Sequence, residues 1–135
     1  MELRDLPGRV ATGAYILHAG IEKWAPDPDR AKGLHGMASG AFPFLRTMPA
    51  DRFMKALSIS ELSVGGLLLA PFIRRRIAGL ALTAFSGGLV TMYLRTPGVR
   101  QEGSVWPTRD GIALSKDVWM LGIGLGLLAP TGTDD

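Results

Sequence analysis

Residues 77–94 run for eighteen positions without a charged side chain, closed by Arg74-Arg75-Arg76 before and Arg95 after. As a helix this run is about 27 Å long, close to the hydrocarbon thickness of a bilayer, and arginines at both ends suit its two surfaces. A second uncharged run covers residues 118–130, entered through Ser115-Lys116-Asp117 with Trp119 at the expected interface. A soluble four-helix bundle of this size shows a charged face on each helix. Two segments lacking such a face point instead to an all-α integral membrane protein.

Two further segments have spanning length but carry ionisable groups. Residues 8–24 contain His18, Glu22 and Lys23, and residues 51–73 contain Lys55 near the start and Glu61 well inside. Ionisable residues are tolerated within spans when they face the bundle interior and find partners. The expected fold is therefore a single four-helix transmembrane bundle with spans at about 8–24, 51–73, 77–94 and 115–130.

Two connections interrupt it. Pro26-Asp27-Pro28-Asp29 marks a turn, and the apolar, Gly-rich stretch at 31–45 is too short to span, which suits an interfacial or re-entrant segment between the first two spans. Residues 96–113, with Pro97-Gly98, Trp106-Pro107 and Arg109-Asp110-Gly111, read as a second exposed connection. Acidic residues near the start and the lack of an Ala-x-Ala site leave the first apolar segment in the mature chain. If the Arg74-Arg75-Arg76 turn is cytoplasmic, both ends are too, although Lys and Arg on the long connections argue for the opposite orientation.

With no cysteine, thiolate chemistry, Fe–S clusters and Cys-based zinc sites are excluded. The net charge of +3 is gathered in short runs that suit lipid headgroups better than nucleic acid. His18 and His35 lack the spaced carboxylates of a metal site, so no metal is expected. Gly122-x-Gly124-x-Gly126 lies in an apolar helix and is not a nucleotide loop.

The candidate chemistry lies in the polar spans. Tyr15, His18 and Glu22 fall on one helical stripe and could hydrogen-bond a quinone carbonyl or relay a proton; equally, they could serve helix packing and headgroup contact. Glu61 sits about ten residues inside its span, where an unpaired carboxylate costs roughly 2.5–3.5 kcal/mol, so it calls for a partner: Lys23, Lys116 or His18. A pair there could be a site, or a lock that only sets helix register. Lys116, Asp117 and Trp119 read as anchor and cap of the last span. Gly122-x-x-x-Gly126 permits close approach by another helix, within the bundle or from a partner subunit.

In order and spacing, Arg9, Gly20-Ile21-Glu22-Lys23-Trp24, Glu61 with Gly65-Gly66-Leu67, and Lys116-Asp117 resemble the DoxX family of small bacterial membrane proteins, from about Arg9 to Leu128. The resemblance implies a multi-pass protein of the bacterial inner membrane that serves as a subunit of a redox or respiratory complex. It also marks Lys23 and Glu61 as matching positions that recur in that family. Such a subunit has no activity alone; it offers a quinone- or lipid-binding cleft, contacts membrane lipids and other membrane subunits, and receives electrons from a partner. The alternative is a structural subunit or assembly factor that docks through Gly-rich helix faces. A stand-alone enzyme or transporter fits less well, because few polar groups line any path across the bundle.

Overall fold

The computed structural model describes residues 2–25, 27–96 and 98–130, without the side chains of Asp110, Ala113 and Leu114; the turn signals at Pro26 and Pro97 and the polar restart at Thr131 lie outside these. Among the described residues every regular element is helical: α1 (Leu6–Lys23), α2 (Pro28–Ala41), α3 (Ala50–Leu69), α4 (Arg75–Arg95), a short α5 (Ile112–Ser115) and α6 (Asp117–Leu128). By length and composition one helix, α4, is long and apolar enough to cross a membrane, and α6 is apolar but only 12 residues long. The segment expected to end at 73 stops as a helix at Leu69, and residues 70–74 turn the chain into α4.

The helices pack as two antiparallel pairs, α1 with α3 and α4 with α6, joined along the seam between α3 and α4. Glycine makes both pairs possible. A Cβ on Gly65 would lie 2.8 Å from Leu17 N and 2.9 Å from Gly13 O, and a Cβ on Gly79 would lie 3.1 Å from Gly124 O. Backbones this close leave no room for a side chain, and the contact is van der Waals packing of helix on helix. Ile16, Val64, Leu68, Ala78, Leu82 and Leu127 fill the centre between the pairs.

Two buried arginines close one end of the bundle. Arg9, 1% exposed, donates Nε to Leu68 O, Nη1 to Ile73 O, and Nη2 to Leu67 O and Ala70 O, at 2.9–3.1 Å. It thereby satisfies carbonyls that the end of α3 leaves without intrahelical partners. Arg75 pairs with Asp5 (Nε to Oδ2, 2.9 Å) and donates to Ala129 O and Gly126 O, which caps α6. Residues near both described ends of the chain thus meet beside Arg74-Arg75-Arg76.

At the other end the bundle splays. The interfacial element expected at 31–45 is a 14-residue helix, α2, whose N-terminus is capped by Asp27 accepting from Arg30 N at 3.3 Å, followed by a 3-10 turn at Pro43–Thr47. It packs on α3 and α4, and Ala38 and Ala41 join Met92 in a second core with Phe53 and Leu89 alongside. The connection after α4 is less open than expected: Val99 is buried, Tyr93 donates its hydroxyl to Val105 O at 2.7 Å, and Gln101 N donates to Trp106 O.

Candidate functional site

The repeat Arg9, Gly13, Ile16, Gly20 sets the buried stripe of α1. One turn beyond Gly20, near the helix end, Lys23 comes to lie against α3. There Nζ meets both carboxylate oxygens of Glu61, at 3.0 Å and 3.1 Å, and Glu61 is only 4% exposed. Of the partners open to Glu61 from sequence, the structure selects Lys23. Ser58, one turn earlier on α3, donates to Gly20 O at 2.6 Å and fixes the register that brings the pair together.

The stripe of Tyr15, His18 and Glu22 does not act as a unit. His18 Nε2 and Glu22 Oε1 pair with each other at 3.0 Å on the outer surface, since they lie opposite the Gly13–Gly20 stripe that α3 covers. Tyr15 stands at the edge of a cleft, 76% exposed.

This cleft has a volume of about 570 Å³ and is enclosed by α1, α2, the 3-10 turn, α3, α4 and α6. Its walls are apolar, with Ile16, Phe53, Phe85, Leu89 and Met120 among them. Its charged groups are Lys23, Glu61, Arg30 and Asp117. Asp117 is half-buried at the start of α6, close enough to Glu61 and Lys23 to feel both charges, and Arg30 likewise acts on Glu61. Two cationic and two anionic groups therefore gather at one end of an apolar space. A cleft in the range of roughly 300–1,000 Å³, mostly apolar with a few convergent polar groups, is the usual form of a small-molecule site.

Asp117, expected as a cap and interface residue, also lines the cleft, whereas Arg30 and the aromatic wall are not among the residues expected from sequence. Nothing in the local pattern signals them, because α2 and α6 reach the cleft only through the splay of the bundle. Lys116 is exposed and Trp119 is 68% exposed. A Cβ on Gly122 or Gly126 meets nothing within 4 Å, Gly126 touching α4 only through its carbonyl, which accepts from Arg75, and Gly124 is the residue pressed against Thr83 of α4. The four-residue spacing was the more visible signal, but the helix turns its other side inward.

Among the described residues no group of three or more His, Asp or Glu side chains is placed to hold a metal ion. Comparison of the chain with protein-family models, curated proteins and solved structures gives no match.

Proposed function

We propose that the chain is a four-helix integral membrane protein that holds a quinone in the cleft between α1, α3, α4 and α6, as a DoxX-like subunit of a redox or respiratory complex. The observation that carries this is an apolar cleft of about 570 Å³ with Lys23, Glu61 and Asp117 gathered at one end. A quinone matches that polarity, with its ring oxygens at the charged end and its isoprenoid tail along the walls. Electrons come from a partner subunit, and the part of this chain is to bind and orient.

Several observations support membrane residence. Helices α3 and α4, of 20 and 21 residues, rise about 30 Å, the thickness of the hydrocarbon layer. Only 33% of the apolar window of α4 is buried, unlike the core helix of a soluble protein. Large apolar side chains such as Leu80, Ile59 and Leu125 are exposed on three different helices, as side chains that face lipid are. Hydroxyls there turn inward on their own helix: Ser60 donates to Ala56 O, Ser63 to Ile59 O and Thr91 to Gly87 O, at 2.7–2.9 Å. Such back-bonding satisfies a hydroxyl that lipid cannot. Trp24, Trp106 and Trp119 are exposed on elements at the splayed end, where an aromatic belt belongs.

A second reading, docking of a partner helix on the outer side of α6, is favoured by one observation, the open faces of Gly122 and Gly126 beside Trp119. Gentle detergent extraction followed by mass spectrometry of co-purifying chains, lipids and quinones separates the two. Quinone in near-stoichiometric amount supports the cleft; stable partner chains without quinone support docking alone.

A further inference from the structure

Gly8, Tyr15 and Ala19 recur at intervals of seven and four, so they share one stripe of α1. At the Gly8 end this stripe touches α6: a Cβ on Gly8 would meet Ile123 Cγ2 at 3.8 Å. Two turns on, Tyr15 is 76% exposed, and it and Ala19 line the cleft opposite Asp117 and Met120 of α6. The neighbouring seams are closed, α1 on α3 and α4 on α6, whereas α1 and α6 have little contact. The two helices therefore meet at the arginine-capped end and diverge toward the splayed one, and the cleft reaches the side of the bundle through the gap.

We infer that the cleft is loaded sideways, from the bilayer, through the gap between α1 and α6, by an amphipathic lipid-soluble molecule that passes Tyr15 and Met120 before its polar head reaches Lys23, Glu61 and Asp117. The inference rests on the membrane-embedded reading of the bundle but not on the ligand being a quinone. A molecule with an apolar tail gains from keeping that tail in hydrocarbon throughout, about 0.8 kcal/mol for each methylene that never enters water. A gap at span depth allows this, and an opening at the water surface does not.

The chain has no cysteine, so a single one can serve as a reporter. Gly88 lines the cleft, and a Cβ there meets nothing within 4 Å, so Gly88→Cys fits without displacing a neighbour. In proteoliposomes its alkylation is timed with a long-chain N-alkyl maleimide and with a sulfonated, water-soluble maleimide, alone and combined with Ala19→Trp, which fills the gap, or Tyr15→Ala, which widens it. Circular dichroism and gel filtration select the folded variants. The expected result is that Ala19→Trp slows the alkyl reagent by about tenfold or more, the effect of a barrier raised by roughly 1.4 kcal/mol, and that Tyr15→Ala speeds it, with the sulfonated reagent unchanged in both. The inference is overturned if the alkyl rate is insensitive to both gap variants, or if the gap variants alter the two reagents alike. Either of those results leaves quinone retention in purified protein, the test of the proposed function, to be judged on its own.

Discussion

Gly65 and Gly66 are neighbours on α3 with opposite surroundings. A methyl group on Gly65 would lie 2.8 Å from Leu17 N, 2.9 Å from Gly13 O and 3.0 Å from Leu17 Cα, all backbone atoms of α1 that cannot rotate away. A methyl group on Gly66 meets nothing within 4 Å. Both Gly→Ala changes gain the same helix propensity, about 1 kcal/mol, so their difference isolates the close approach of α1 and α3. Overpacking a tight contact costs typically 1–3 kcal/mol. Gly65→Ala is therefore expected to be about 1–3 kcal/mol less stable than Gly66→Ala, roughly a five- to 150-fold change in the unfolding constant. Unfolding in mixed micelles at increasing SDS fraction, followed by circular dichroism, measures the gap. Equal midpoints for the two variants refute the backbone-on-backbone packing of α1 and α3.

Arg9→Met removes the bonds to Leu67 O and Leu68 O at the end of α3 and to Ala70 O and Ile73 O in the turn after it, of which Ala70 O keeps Ile73 N as a donor; at about 1–3 kcal/mol for each unmade buried bond, partly relieved by relaxation, the loss is about 3 kcal/mol or more in the same SDS assay. Thr83→Val removes a hydroxyl that is buried without a hydrogen-bond partner among the described residues, so stability is expected to stay level or rise by up to about 1 kcal/mol, and a clear loss refutes that geometry. For the ion pair, Lys23→Met and Glu61→Leu singly leave an uncompensated buried charge and cost about 3–5 kcal/mol each; the double variant is expected to cost less than either. A double-mutant cycle in SDS unfolding checks this, and additive losses contradict the pairing.

What the sequence made legible follows from where each signal lives. The apolar run that became α4 is visible because no charged side chain interrupts it, and the need of Glu61 for a partner is visible because a carboxylate deep in a mostly apolar helix has few ways to be satisfied. The identity of that partner depends on how α1 and α3 are set in register by Gly13, Gly20 and Gly65, which no single-helix pattern encodes. Arg9 and Arg75 look like flanking charges in the sequence, yet each caps a helix other than its own, and those carbonyls carry no side-chain signature. The cleft was the least legible feature. Its lining comes from α1, α2, the 3-10 turn, α3, α4 and α6, which converge only because α2 packs on the far ends of α3 and α4 while α6 leans away from α1.

Binding of a lipid-soluble ligand in this cleft, with its polar head at Lys23, Glu61 and Asp117, is measured by titrating a short-chain ubiquinone analogue into the protein in lipid nanodiscs. The comparison is with Glu61→Gln, which keeps the side-chain shape while removing the charge facing Lys23. The expected result is saturable one-to-one binding, weakened about tenfold or more by Glu61→Gln, which corresponds to 1.4 kcal/mol. Purely linear partitioning, indistinguishable from empty nanodiscs, or equal affinity in both proteins contradicts it.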